Sequence, residues 1–160
     1  MNKTSTIFLR VIIVLIGMGV LAFLLWEPHL EGRNAHATLF EIYFKDPFLA
    51  YVYIASLPFF AVLYKTFKLL GLAGENKIFS QNSVKALRTI KYCAIIQGVL
   101  IVTAAAYIRI FHAKDDDPAG FVAICVVATF IFIVIATAAG VFEKLLQTAV
   151  EMKSENDLTI

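Results

Sequence analysis

The chain is poor in charged residues, in cysteine and in proline. Only 16% of its 160 residues are charged, 60% are apolar, and it contains two cysteines and four prolines. A soluble domain of this length could not hide so many apolar side chains, because much of any small globule faces water. Two cysteines exclude a disulfide scaffold, and a net charge of +2 excludes a strongly basic nucleic-acid-binding domain. The composition therefore predicts an integral membrane protein whose apolar side chains face lipid.

Four runs without a charged residue approach the length of a membrane-spanning helix. They cover residues 11–26, 48–64, 92–108 and 121–142, and about 20 residues are needed to cross the hydrocarbon of a bilayer. The first run reaches that length if residues 7–9 are added and Arg10 extends its guanidinium toward the headgroups. We predict an all-α fold, an integral membrane four-helix bundle. One transmembrane domain, 1–160, would have its spans at about 7–26, 47–64, 92–108 and 120–142.

The 14 lysines and arginines are divided unequally between the two sides of these spans. Ten lie in the N-terminal segment, the loop of residues 65–91 and the C-terminal tail, whereas four lie in the other two loops. Segments rich in lysine and arginine stay in the cytoplasm. We therefore predict a multi-pass protein with both termini cytoplasmic.

The third and fourth helices are predicted to extend beyond the membrane into the cytoplasm. Val84, Leu87 and Ile90 repeat at three-residue spacing between basic residues, which indicates an amphipathic helix over about 82–91. Apolar and charged residues are also interleaved over about 143–155. A fourth helix of that extent would be about 57 Å long, well beyond the hydrocarbon thickness. We expect the two apolar stripes to pack on one another or on a partner.

The connection between the second and third helices carries signals for both helix ends. Gly71 and Gly74 are expected to end the second helix, and Ser80 or Asn82 can cap the third. Residues 156–157 of the polar tail are expected to cap or hydrogen-bond the start of the third helix. Such a contact would close the cytoplasmic end of the bundle.

The central parts of the predicted spans contain no ionisable residue. This disfavours proton-coupled transport, voltage sensing and intramembrane haem binding, which each need one. No nucleophile with a base, pair of catalytic carboxylates or metal-ligand set occurs at a workable spacing. We therefore expect no enzymatic activity, no cofactor and no metal.

Three histidines, His29, His36 and His112, lie in the predicted outer loops with the acidic run 115–117. Imidazole and carboxylate are suitable metal ligands, and histidine titrates near neutral pH. The spacing fits no ligand motif, and the acidic run before Pro118 is typical of a solvated turn and helix cap. A metal site or a pH sensor on that face is left open as the alternative.

Gln97 is the strongly polar residue in the apolar interior of the third span. We interpret it as an interhelical hydrogen-bonding residue, with contact to a ligand as the alternative. Small residues lie four apart at Ala94 and Gly98 and at Ala136 and Gly140, which favours close packing of helices. We assign this packing to helices of one chain and leave a homo-oligomer open.

Two segments of the chain are distinctive. Phe79, Ser80 and Asn82 lead into residues 84–90, and the tail, residues 155–160, reads Glu-Asn-Asp-Leu-Thr-Ile. In these segments, and in its layout over nearly the whole chain, the protein resembles the bacterial four-span membrane proteins grouped as domain of unknown function 2975. The resemblance implies the bacterial cytoplasmic (inner) membrane. Members are often encoded beside a small helix-turn-helix regulator, and the family implies no established activity.

These observations predict a non-enzymatic regulatory or protective interaction protein that acts through its cytoplasmic face. The alternative is a carrier, or a membrane protein that binds a lipid or a small hydrophobic ligand. We expect membrane lipids as partners, leave a protein partner in the cytoplasm or membrane open, and expect no direct nucleic-acid binding. The candidate interaction surface consists of Ser80, Asn82, Lys85, Arg88, Lys153, Glu155, Asn156 and Asp157.

The predicted orientation can be tested with single cysteines introduced into a variant without native cysteines. Cysteines that replace Asn34 and Lys114 should react with a membrane-impermeant maleimide added to intact cells. A cysteine that replaces Lys77 should react only after the membrane is opened. The reverse labelling pattern would contradict the predicted orientation.

Overall fold

A computed structural model describes residues 3–30, 47–111 and 119–157 of the chain. These residues form four helices and no strand: α1 (Lys3–Leu30), α2 (Pro47–Gly74), α3 (Gln81–Phe111) and α4 (Ala119–Asp157). Each helix is long and apolar enough to cross a membrane. The prediction of an all-α, four-helix membrane bundle is therefore confirmed.

The helices pack in the order in which they follow one another in the chain. α1 contacts α2, α2 contacts α3, and the most extensive contact is between α3 and α4. A buried cluster of Val62, Ile90 and Ala139 joins α2, α3 and α4. The rings of Phe59 and Phe132, whose centroids lie 6.5 Å apart, add a contact between α2 and α4. Three helices thus share a core, and α1 lies against α2.

Small residues bring α3 and α4 close together. Ala94 and Ala136 are buried. A Cβ atom on Gly98 would lie 3.9 Å from the Cβ of Phe132. A Cβ atom on Gly140 would lie 3.3 Å from the Cδ of Lys91. The four-residue spacing in the sequence thus corresponds to packing between two helices of the same chain.

α1 packs on α2 along much of its length, from Thr6 to Leu24, where the Tyr53 hydroxyl donates a hydrogen bond to the Leu24 carbonyl at 2.9 Å. The guanidinium of Arg10 lies 4.5 Å from the ring centroid of Phe67, and its Nε donates a hydrogen bond to the Phe67 carbonyl at 3.4 Å. A Cβ atom on Gly71 would overlap that guanidinium, and one on Gly74 would lie 2.9 Å from the Cγ2 of Thr6. Arg10 therefore contacts α2 and does not only extend toward the headgroups. Because Gly71 has no side chain, the guanidinium can lie against the surface of α2 at this position.

α2 ends at Gly74, but the residue that reverses the chain is Asn76. Asn76 has a φ of 56°, in the left-handed region that asparagine tolerates better than most residues. The Lys77 N–H donates to the Leu72 carbonyl at 2.8 Å, and the Asn76 N–H donates to the Ala73 carbonyl at 3.3 Å. This is a Schellman arrangement, which satisfies two carbonyls at the end of the helix.

α3 and α4 are longer than the membrane requires. α3 has 31 residues and α4 has 39, which correspond to roughly 46 and 58 Å at the α-helical rise. The hydrocarbon core is about 30 Å thick. Val84, Leu87 and Ile90, the apolar stripe of the α3 extension, are all buried. The extension is therefore packed against the rest of the bundle and continues the α3–α4 contact.

Candidate functional site

The extended helices and the α2–α3 turn form one end of the bundle, comprising residues 72–91 and 143–157. Its charged residues are six basic ones, Lys77, Lys85, Arg88, Lys91, Lys144 and Lys153, and five acidic ones, Glu75, Glu143, Glu151, Glu155 and Asp157. We call this region the basic end. It contains all the residues of the predicted interaction surface.

Ser80 caps the start of α3, as the sequence predicted for either Ser80 or Asn82. Its carbonyl accepts the Ser83 N–H at 3.0 Å and the Val84 N–H at 3.3 Å. Its Oγ accepts the Ser83 N–H at 3.4 Å and lies 3.2 Å from the Ser83 Oγ. Ser83 is fully buried. The N–H groups at the start of α3 thus find an acceptor in the same segment, because Ser80, three residues before Ser83, has the geometry of an N-cap.

The predicted contact of the C-terminal tail with the start of α3 stays a prediction. Ser80 fills the capping role, and Asn156 is exposed near the end of α4. Glu155 is also exposed, and the side chain of Asp157 lies outside the described residues. The tail residues of the predicted surface therefore belong to the basic end, and of these Glu155 and Asn156 are exposed.

The strongest polar contact of the basic end joins α3 to α4. Glu143 is 6% exposed and lies one residue beyond the charge-free run of α4. Its Oε1 accepts a hydrogen bond from the Nε of Arg88 at 2.6 Å, and its Oε2 accepts one from the Nζ of Lys91 at 2.6 Å. A buried carboxylate needs such partners because leaving it unpaired would cost several kcal/mol.

The two cations hold the pKa of Glu143 below its ordinary value of 4.5. The hydrogen bond from Lys91 is the largest cause and the one from Arg88 is next, whereas burial acts in the opposite direction. The same contact raises the pKa of Arg88. Arg88, which the sequence placed on a free interaction surface, thus uses its Nε inside the bundle. Its side chain is still 53% exposed.

A groove of about 680 Å³ lies between the α2–α3 turn and α4 at the basic end. Three residues of the predicted surface, Ser80, Asn82 and Lys153, line it. Lys85 is exposed but is not among the groove residues. The structure therefore divides the predicted surface into a groove, an ion pair and separate exposed positions. The other groove residues are Leu72, Asn76, Lys77, Phe79, Ala149 and Met152.

Sequence reasoning missed Glu143 as a site residue. One signal was available, since Glu143 directly follows a 22-residue run without charge. Its pairing could not be read from the sequence, because Arg88 and Lys91 lie more than 50 residues earlier in the chain. The facing positions follow only from the α3–α4 packing.

Gln97 does not form the interhelical hydrogen bond that we predicted for it. It is only 8% exposed. Within the described residues, its Oε1 atom is buried and has no hydrogen-bond partner. The reason is its surroundings, since the nearby hydroxyls of Tyr51 and Ser56 donate to backbone carbonyls instead.

The described residues contain no group of three His, Cys, Asp or Glu side chains that could hold a metal ion. Cys93 and Cys125 are both free thiols. The alternative prediction was a metal site or a pH sensor in the outer loops. His36, His112 and residues 115–117 lie outside the described residues, as does the side chain of His29.

We predict that Glu143→Gln lowers the free energy of unfolding by about 1–3 kcal/mol, because two charge-assisted hydrogen bonds are weakened. The measurement is chemical unfolding of the purified protein in detergent. Glu151→Gln is the control, since Glu151 is exposed on the same helix and bonds only to Gln147 in its own helix. An equal effect of both changes would contradict the assigned role of Glu143.

The same contact predicts how stability depends on pH. Because the pKa of Glu143 is lowered in the folded state, its ionised carboxylate contributes fully to the free energy of unfolding above pH 4.5. That contribution is lost as the pH falls through the lower pKa of the folded state. Wild type should therefore lose more stability than Glu143→Gln in this acidic range. Equal losses of stability in wild type and Glu143→Gln would show that other carboxylates cause the destabilisation at acidic pH.

Comparisons with known proteins agree with this architecture. Residues 31–160 match the family described as "Protein of unknown function (DUF2975)". The chain is 40% identical over 163 residues, covering 100% of both chains, to the "Uncharacterized membrane protein YoaS" of Bacillus subtilis (strain 168). No solved structure matches. The protein therefore belongs to the DUF2975 family of membrane proteins of unknown function.

Proposed function

We propose that this protein is a non-enzymatic interaction protein that binds a protein segment in the groove of the basic end. The observation that carries the proposal is the groove itself, which lies beyond the apolar spans and joins the α2–α3 turn to the α4 extension. The proposed orientation places it in the cytoplasm, at the inner membrane, because ten of the 14 basic residues lie on that side.

The groove combines apolar walls with positive charge. Phe79 is 56% exposed and Met152 is 59% exposed, although both lie beyond the lipid-facing runs. Exposed apolar side chains in water favour a partner that covers them. Lys77 and Lys153 also line the groove, and no acidic residue is among its described lining residues. A helical or extended segment with apolar and acidic side chains has the complementary chemistry.

The charges of the two lysines are not equally available. Lys77 pairs with Glu75 at 3.1 Å on the surface. Lys153 has no ion pair among the described residues and projects from the α4 extension. Lys153 is therefore the residue whose charge an acidic partner would meet first.

We test the groove by photo-cross-linking in native membranes. A photoreactive phenylalanine analogue that replaces Phe79 or Met152 should capture one protein of defined mass. The same analogue at Leu145, which is 61% exposed on α4 but outside the groove, is the positional control. Lys153→Glu should reduce the yield about tenfold, because it places like charges against an acidic segment.

Lys85→Glu tests whether a lower cross-linked yield comes from a charge in the groove or from the overall charge of the basic end. Lys85 is an exposed lysine of the same region and does not line the groove. Its reversal should leave the cross-linked yield unchanged while membrane insertion stays normal in both variants. Equal loss with both reversals, or capture only at Leu145, would contradict the proposal.

A second candidate function is binding of an anionic lipid, and a groove between α3 and α4 favours it. This groove has a volume of about 710 Å³ and follows the small residues Ala94 and Gly98. Lys91 and Lys144 line one end. From Lys91 to Thr103, another lining residue, α3 rises roughly 18 Å, close to half of the bilayer hydrocarbon. An acyl chain fits this shape, with its phosphate beside the lysines.

The lipid candidate predicts selective retention of anionic lipid. Protein from nanodiscs that contain equal amounts of phosphatidylglycerol and phosphatidylcholine should retain the anionic lipid, as measured by native mass spectrometry. Lys144→Gln should weaken that preference roughly fivefold, the effect of about 1 kcal/mol per basic residue at a membrane surface. Lys153→Gln, a change outside this groove, is the control. Equal retention of both lipids by wild type would rule the candidate out.

A further inference from the structure

The groove between α3 and α4 ends in two lysines at the level of the lipid headgroups. Lys91 directly precedes the charge-free run of α3, Lys144 is the second residue after that of α4, and both line the groove. Charged residues at the ends of an apolar run lie at the membrane interface. The other described lining residues carry no charge. A lipid chain in the groove therefore brings its headgroup against these two lysines.

Lys91 is held in position by its neighbours. Its Nζ donates a hydrogen bond to the Oε2 of Glu143 at 2.6 Å, and its side chain is 27% exposed. A Cβ atom on Gly140 would lie 3.3 Å from the Cδ of Lys91, so the absence of a side chain there lets the lysine stem lie against α4. The Nζ also lies 4.9 Å from the ring centroid of Tyr92. A side chain ordered in this way loses little conformational entropy when a ligand binds.

The charges around this end of the groove do not cancel. Glu143 carries one negative charge and accepts hydrogen bonds from both Arg88 and Lys91, so one of these two positive charges is left over. Lys144 adds another, since it has no ion pair among the described residues. Three positive charges and one negative charge leave this cluster with a net charge of +2.

Hydrogen-bond donors are also in excess. Lys91 donates one of its three N–H groups to Glu143 and keeps two, and Lys144 carries three more. A phosphate diester offers two free oxygens and one negative charge. A phosphate monoester offers three oxygens and a charge of about −1.5 to −2 near neutral pH. The monoester is therefore the better match for both the donors and the charge of the cluster.

We propose that the groove between α3 and α4 binds a lipid whose phosphate is a monoester, such as phosphatidic acid, in preference to lipids with a phosphate diester. The proposal rests on the anionic-lipid candidate described above and names the headgroup that the groove selects. The monoester balances the net charge of +2 and gives a third oxygen to the spare N–H groups. The lipid chain follows the apolar walls of the groove.

The test compares phosphatidic acid with phosphatidylmethanol, which differs by one methyl group that removes the second negative charge. Wild-type protein is placed in nanodiscs that contain equal amounts of these two lipids and phosphatidylcholine, all with the same acyl chains. The lipids that stay bound are then measured by native mass spectrometry. Phosphatidic acid should be retained roughly fivefold more than phosphatidylmethanol, because one more charge faces the lysines.

The three lipids separate this proposal from the candidate on which it rests. Equal retention of phosphatidic acid and phosphatidylmethanol, both above phosphatidylcholine, would overturn the monoester proposal and leave the anionic-lipid candidate standing. Equal retention of all three would remove both. Millimolar glycerol 3-phosphate, which has the phosphate but no chain, should not displace phosphatidic acid. Displacement would show that the lysines bind a soluble phosphate, and it would overturn the proposal.

Two pairs of variants locate the binding. Lys144→Gln should reduce the preference for phosphatidic acid over phosphatidylmethanol to less than about twofold, whereas Lys85→Gln, outside the groove, should not change it. Val99→Trp should lower retention of both anionic lipids because Val99 lines the groove. Val126→Trp is its control, since Val126 is similarly exposed but does not line the groove. An unchanged preference in Lys144→Gln would contradict the proposal. If a variant fails to fold, the comparison of the lipids on wild type still decides.

Discussion

The structure depends on the absence of water from the hydrocarbon core. There, each backbone or hydroxyl donor must find its acceptor within the protein. The threonines in the spans meet this requirement within their own helices: the hydroxyls of Thr66, Thr103, Thr129 and Thr137 each donate to the carbonyl four residues earlier. Gln97 does not follow that pattern, since its Oε1 is the buried side-chain oxygen that has no hydrogen-bond partner within the described residues.

The two ends of the bundle are held by different interactions. At the basic end, one buried carboxylate joins α3 to α4 through two cations, and the contact lies where water begins to screen charge. At the other end, aromatic contacts of Phe48 with Tyr107 and Phe121 join α2, α3 and α4. Charge therefore holds the helices together at one end, and packed aromatic rings hold them together at the other.

The sequence predicted those features that depend on local periodicity. The four charge-free runs became four helices, the stripe of Val84, Leu87 and Ile90 is buried, and Ser80 caps α3. Features that depend on facing side chains were not predictable. Glu143 meets cations that lie more than 50 residues away in the chain, and the missing partner of Gln97 becomes visible only when the neighbouring helices are in place. The spacing of residues along one helix does not show which side chains of a neighbouring helix they will face.

The packing of the helices in chain order bears on how the protein folds. α2 contacts α1 and α3, and α3 contacts α2 and α4, so each helix after the first has its predecessor in the chain as a partner. Contacts between neighbours in the chain require little loop-closure entropy and favour fast assembly. The most extensive interface, between α3 and α4, includes the Glu143 ion pair. Because Glu143 lies late in the chain, this ion pair can form only after the apolar run of α4 has been synthesised.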